Sequence, residues 1–307
     1  MVRTYHDPVM VREVVAHLGA ESGGLFFDGT LGGGGHAEAI LEASESARVI
    51  GVDQDPDALA TAGKRLERFG SRVRLVESNF ADAAEQLEER LAGALLDLGV
   101  SSHQIDAEAR GFSFRPGTPL DMRMAAGSSS VPTAADLLNE LDERELADVF
   151  YRYGEERRSR RLAREIVHRR RERPFRTSDE LVAAIDAALG PRTTNQDRAR
   201  IFQALRIAVN DEMSVLARAL PALRDRLEPN GVFVVLSYHS LEDRQVKEAF
   251  REWSRDCVCP PELPVCRCRG RALGGVVTRK PVTASAAEIE ANPRARSAKL
   301  RAWRKAA

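Results

Sequence analysis

Across residues 25–98, four short apolar runs alternate with amphipathic stretches, and four consecutive glycines, Gly32 to Gly35, follow the first run. Residues 25–29, 47–53, 72–77 and 93–98 read as strands. Helices are expected from about His36, over 56–69 and over 81–91, the second opened by Pro56 at a favoured first-turn position. Strands separated by helices cannot pair as hairpins, so they imply right-handed crossovers and a parallel sheet. The rhythm breaks after Gly99. Residues 111–127 are loop-like, and 134 to about 219 carry Leu, Ile and Val at helical spacings with no convincing strand. After Pro229-Asn230-Gly231, residues 232–236 are strongly β in character, as if a sheet resumes after an insertion. Residues 276–282 are a further strand candidate. The expected fold is α/β: a Rossmann-like sheet domain from residues 1–110 and 220–307, with an inserted all-helical domain over 111–219.

Hydrophobic residues make up 43% of the 307 positions and charged residues 30%, which excludes wholesale disorder. Charges interrupt every apolar stretch near the start, and no apolar run approaches the ~18 residues of a membrane span. A soluble cytoplasmic protein is expected. Net charge is zero, 46 basic against 46 acidic residues. That sum hides an uneven placement. Residues 152–176 hold 11 Arg and four Glu, and 267–305 hold 11 Lys or Arg and two Glu. A charge run is usually a solvated face. Two of them in a neutral chain are also the pattern of a phosphate-binding surface.

A glycine loop between a first strand and its helix lets backbone approach a ligand, and an acidic residue closing the second strand can accept ribose hydroxyls. Asp53 is that residue. The loop alone fits NAD or S-adenosylmethionine about equally. The strand ends favour the second. Asp28-Gly29-Thr30 leads into the loop, Asn79-Phe80 closes the third strand where Phe80 can pack on an adenine, and Asp97 ends the fourth. Carboxyl ends of strands line the ligand crevice of a doubly wound sheet. Asp97 is thus a candidate for the reacting end, or simply a helix-capping carboxylate.

These residues belong to longer segments that resemble bacterial N4-cytosine methyltransferases of small-subunit ribosomal RNA, the MraW family. The segments are HDPVM from His6, DGTLG from Asp28 with Gly34-Gly35-His36, and GVDQDP from Gly51. LDLGVSSHQID from Leu96 and RGFSFRPGTPLDMRM from Arg110 follow. FQALRIAVN from Phe202, LSYHSLEDRQVK from Leu236 and NPRARSAKLRAW from Asn292 complete the set. They span nearly the whole chain in order. The resemblance implies a class I methyltransferase sheet, S-adenosylmethionine as cofactor and 16S ribosomal RNA in the small subunit as partner. It implies cofactor contacts at Gly34, Gly35, His36, Asp53, Phe80, Asp97 and Gln104. It admits a homodimer, which the residues leave open. Three departures stand out: Gly33 in the glycine loop, Tyr238 in place of a usual Phe, and Asn195–Arg200 where relatives often carry His-Pro-Ala-Thr.

A cytosine amine is a poor nucleophile, because its lone pair is delocalised into the ring. Asp97 is read as the group that orients the amine, the cofactor or both, and His239 as a candidate proton acceptor or a structural histidine. A target base must leave its stack and find an aromatic or guanidinium plane. Phe112, Phe114, Arg115, Arg123 and Tyr238 are candidates, with core packing the plain alternative for the two Phe. Arg206 is a candidate substrate contact, and Arg294, Arg296, Lys299 and Arg301 are candidate phosphate contacts. Cys257-x-Cys259 and Cys266-x-Cys268 are read as a metal-free Pro/Cys-rich loop, with zinc as the alternative. Two other functions compete: an NAD oxidoreductase, whose hydride-transfer residues are not evident, and a non-catalytic RNA-binding assembly factor, which would not need Gly34, Asp53 and Asp97.

Overall fold

The computed structural model describes residues 8–99, 110–125, 131–260, 265 and 267–307. The chain forms two compact units, residues 1–99 with 214–307, and residues 100–213. In chain order the helices are α1 (Val11–Leu18), α2 (Gly35–Ala43), α3 (Pro56–Leu66), α4 (Phe80–Gln86), α5 (Ala134–Glu140), α6 (Glu143–Arg152), α7 (Ser159–Arg170), α8 (Ser178–Leu189), α9 (Asn195–Asn210), α10 (Glu212–Arg226), α11 (Ser240–Trp253) and α12 (Ala286–Ala291).

The first unit is built on one sheet of β1 (Gly24–Asp28), β2 (Ala47–Asp53), β3 (Val73–Glu77), β4 (Leu91–Asp97), β5 (Leu227–Ser237), β6 (Gly274–Val276) and β7 (Lys299–Lys305), in the order β3-β2-β1-β4-β5-β7-β6. The first five strands are parallel. β7 runs antiparallel to both β5 and β6. Period-two alternation gives the sheet two buried faces. Phe26, Val232, Val234, Leu236, Leu300 and Ala302 pack with Val14, Leu18, Ile40 and Leu41 on one side. Phe27, Phe233, Val235 and Trp303 pack with Leu220, Val246, Phe250 and Trp253 on the other. The chain winds outward from β1 through β2 to β3, then returns to place β4 on the other flank of β1. The order therefore reverses between β1 and β4, the position where doubly wound sheets open a ligand crevice at their carboxyl ends. Asp28 and Asp97 end those two strands.

The second unit is helical and has its own core. Leu146, Phe150, Leu162, Ile166, Leu181, Ile185, Ile201 and Leu205 are buried together. Phe112 and Phe114 pack against this core, and Phe114 meets Phe202 edge to face at 5.8 Å between ring centres. Four helices start on reciprocal capping boxes: Thr133 with Asp136, Asp142 with Glu145, Thr177 with Glu180, and Thr194 with Asp197. The last box includes the segment that departs from the family. There Thr194 and Arg200 hold the Asp197 carboxyl down at about 2, and Arg198 grips Asp186 through two hydrogen bonds of 3.0 and 2.8 Å.

The C-terminal basic run departs from its expected role. Residues 299–305 form β7, in the interior of the sheet, while the expected strand 276–282 reduces to β6 and a single bridge from Val282 to Leu300. Arg301 is only 8% exposed. Its guanidinium donates to both Asp243 carboxylate oxygens, at 2.7 and 3.2 Å. Lys299 approaches the same carboxylate at 3.7 Å. Arg301 is therefore a buried tie between β7 and α11 and not a surface for phosphate. Removing one partner of a buried pair strands the other. Arg301→Ala is expected to lower unfolding free energy in urea by about 3–5 kcal/mol. Arg304→Ala, on an exposed side chain of the same strand, should change it by less than about 0.5 kcal/mol. Equal effects would rule out the tie.

Candidate active site

The glycine loop is shaped by close approaches within the first unit. Gly34 (φ +79°) caps α2 in the left-handed region. A Cβ there would lie 3.2 Å from the Ala62 methyl and 3.3 Å from Leu66. One on Gly35 would lie 2.7 Å from the Pro8 ring. The Arg65 guanidinium donates to the Gly33 carbonyl at 3.1 Å, tying the loop to α3. Asp53 holds the loop from below: Oδ2 accepts the Gly32 N–H at 2.8 Å and Oδ1 the Asp55 N–H at 2.9 Å. A carboxylate has two acceptor sites on each oxygen, so this use leaves capacity on both. Burial pushes the Asp53 carboxyl up, and the amides of Asp55 and Gly32 pull against that shift.

Asp28 is fully buried. Its Oδ1 accepts the Thr30 N–H at 3.2 Å, and its Oδ2 has no hydrogen-bond partner. Desolvation is the main cause that raises its carboxyl to about 6, with His36 opposing and Asp97 and Asp53 adding to the rise. A buried carboxylate oxygen without a donor is costly. A cationic or N–H-bearing group placed against Oδ2 would relieve that cost.

Asp97 ends β4 and is held at both backbone and side chain. Its N–H donates to Thr30 Oγ1 at 2.6 Å, and the Tyr238 hydroxyl donates to its Oδ1 at 2.7 Å. Burial and the neighbouring Asp97 carboxylate raise the Tyr238 phenol well above its usual range, which keeps it a donor. Gly99 (φ +108°) leaves room for the tyrosine ring, 3.3 Å from where a Cβ would stand. Tyr238 is fixed in turn by Glu242, whose Oε2 accepts the amides of Tyr238 and His239 at 2.9 and 3.2 Å.

His36, at the start of α2, is buried. Its Nε2 lies 2.9 Å from the Val9 carbonyl, which assigns the proton to that nitrogen. Its Nδ1 then turns a lone pair toward Asp97 Oδ2, 3.6 Å away. Desolvation lowers the His36 pKa and favours the neutral ring. Phe80 opens α4 beside β1, its Cβ 3.1 Å from where a Cβ on Gly29 would stand.

Of the residues singled out from sequence, Asp28, His36, Asp53 and Asp97 gather at the carboxyl ends of β1, β2 and β4, with Phe80 alongside. Gln104 lies outside the described residues. His239 is the N-cap of α11, with Nε2 3.0 Å from a Glu242 carboxylate oxygen. It caps the helix through Nδ1, which accepts the Glu242 N–H at 3.4 Å, while its buried Nε2 makes no hydrogen bond. Arg123 is paired with Asp121, and Arg206 with Glu212 through hydrogen bonds of 2.8 and 2.9 Å. Arg115 and Arg296 are exposed, and Arg294 and Lys299 are half-buried. Sequence reading did not find the parts played by Thr30 and Val9, whereas Glu242 was read as part of a helix cap and here also accepts the Tyr238 amide. Thr30 and Val9 act through contacts with segments far away in the chain, Asp97 and His36, although Thr30 sits in the strand-end triplet already noticed.

Comparison with known proteins bears on this arrangement. Residues 3–306 match the MraW methylase family. A protein of Gemmatimonas aurantiaca named ribosomal RNA small subunit methyltransferase H is 56% identical over 309 residues, covering 99% of this chain and 96% of its own. Proteins of the same name from Heliobacterium mobile and Geotalea uraniireducens are 48% and 50% identical. The alignments cover 98% of this chain and 99% and 98% of theirs.

The Asp28 carboxyl predicts a pH signature. Its folded value, about 6, lies above the ordinary 3.8. The folded chain thus holds this proton more tightly, and the group's stabilisation, full below about pH 4, is lost as pH rises through 6. Asp28→Asn removes that loss. The variant's stability advantage over the parent is expected to grow by about 1 kcal/mol between pH 5 and pH 8 in urea titrations. A difference independent of pH would refute the assignment.

Proposed function

This chain belongs to the MraW methylase family, and from that premise we propose that it methylates the N4 amine of a cytidine in small-subunit ribosomal RNA, using S-adenosylmethionine. The observation that carries the reading is the Asp97 carboxylate, oriented by the Tyr238 hydroxyl, with its backbone N–H held by Thr30, near the His36 lone pair at the strand-order reversal. S-adenosylmethionine, when bound, supplies an electrophilic methyl group. The residues present fit its chemistry. Asp28, with its unpartnered buried oxygen, would take the ammonium of the methionine end. Asp53 would accept ribose hydroxyls on its remaining lone pairs, and Phe80 would pack against the adenine. Gly34 and Gly35 would keep the loop close enough for these contacts.

In this reading Asp97 accepts an N4–H of the cytosine. A charge-assisted hydrogen bond holds the amine and favours the pyramidal form whose lone pair can attack. The amine must also lose a proton as the new N–C bond forms, and the Asp97 carboxylate takes it. Tyr238 keeps that carboxylate in one orientation, and neutral His36 offers a second acceptor beside it. The helical unit, residues 100–213, serves as the substrate-recognition part. Exposed arginines there, among them Arg115, Arg160, Arg161 and Arg171, would meet phosphates. The competing reading, an NAD oxidoreductase, leaves Asp97 and Tyr238 without a task.

The test is transfer of labelled methyl groups to purified small ribosomal subunits lacking the modification, with the product nucleotide mapped. Asp97→Asn should lower turnover by about a hundredfold or more. Tyr238→Phe, which keeps the ring and loses one hydrogen bond, should cost about five- to tenfold. Label on a nucleotide other than cytidine, or full turnover and full cofactor affinity in Asp97→Asn, would overturn the reading. So would thermal stabilisation by NAD but not by S-adenosylhomocysteine.

A further inference from the structure

Between α11 and β6 the chain runs from Ser254 to Leu273 with no helix or strand among its described residues. Among its described residues Val265 is 67% exposed. The ends are pinned by the Leu273 N–H donating to the Trp253 carbonyl at 2.8 Å and by the Ala272 N–H donating to Asp256 Oδ1 at 3.1 Å. Inside them, the Sγ atoms of Cys257, Cys259 and Cys268 lie within 4.8 Å of one another.

We propose that these three thiolates form a structural zinc site that staples this loop. The sulfurs of Cys257 and Cys268 are 3.8 Å apart, far beyond a disulfide bond. Tetrahedral zinc with Zn–S bonds of ~2.3 Å sets its sulfurs about 3.8 Å apart. The surrounding amides support thiolates in a reciprocal pattern. The Val258 N–H, between the cysteines of the first pair, donates to Cys268 Sγ at 3.4 Å. The Arg267 N–H, just before Cys268, donates to Cys259 Sγ at 3.4 Å. Each segment thus steadies a sulfur of the other, as outer-sphere donors do around metal-bound thiolates. Exposed Arg255, Arg267 and Arg271 offset the charge of a zinc–thiolate centre. Binding replaces three S–H protons by three Zn–S bonds and releases those protons to solvent. The fourth position of the tetrahedron is left to a water or a further side chain. Cys266 is near in sequence and lies outside the described residues.

Full-length protein, purified under reducing conditions without chelator, should contain about one zinc per chain by elemental analysis. After cobalt exchange it should show the charge-transfer and ligand-field bands of a tetrahedral thiolate complex. Cys259→Ser with Cys268→Ser should lower zinc to less than about a tenth of that. Should the double variant fail to fold, the parent protein carries the test. A strong chelator should speed proteolysis between Trp253 and Gly274 at least severalfold, and added zinc should restore protection. Protein with no stoichiometric zinc, cysteines found paired in disulfides by non-reducing mass spectrometry, or a loop whose cutting ignores both chelator and zinc would each overturn the proposal.

Discussion

Three neighbouring parallel strands, β2, β1 and β4, each end in an aspartate, and the rest of the cofactor-type unit is organised around that crowding of negative charge. Asp53 is answered by two backbone amides, Asp97 by a tyrosine hydroxyl, and Asp28 by only one amide while fully buried. Like charges at this spacing raise one another's proton affinity. Asp28, the most enclosed of the three, is raised to about 6, chiefly by desolvation, with Asp97 and Asp53 adding to the rise. The fold accepts a locally unfavourable carboxylate because β1 lies inside the sheet between β2 and β4, where Phe26 and Phe27 fill both faces. A ligand that brings positive charge and hydrogen-bond donors removes the penalty, so binding and electrostatic relief are one event.

The parallel core was legible from sequence because its physics is local. Apolar runs at strand length, Pro56 at a helix start and the glycine loop each follow from a few adjacent residues. The site's acids were legible for the same reason: all three close strands. Their partners were not. Nothing near Tyr238 announces that its hydroxyl reaches Asp97, 141 positions away in the chain. The substitution of a usual Phe by Tyr was visible, but its meaning depended on a contact that only the folded sheet creates.

The C-terminal run shows how charge can disguise a strand. Leu300 and Ala302 face one core, while Arg301 and Trp303 face the other. The alternation is present in the sequence, yet Lys299, Arg301, Arg304 and Lys305 made it read as a solvated basic surface. Asp243 on α11 changes that reading, since it turns an arginine into an interior residue. The helical unit differs again. Its helix starts are written in local capping boxes, and many of its arginines are engaged by carboxylates or carbonyls of the same unit, among them Arg169 with Glu165 and Arg170 with the Leu138 and Leu141 carbonyls. Counting arginines overstates the charge offered outward.

The place of β7 also has a consequence for synthesis. It fills the slot between β5 and β6, although it is made after both. Until those residues leave the ribosome, Val232 to Ser237 carry an open row of backbone donors and acceptors, and β6 has no strand to pair with. An open edge of that kind invites pairing with other chains. The sheet therefore closes only once β7, made after every other described strand, is in place, and the open edge of β5 must be guarded until then.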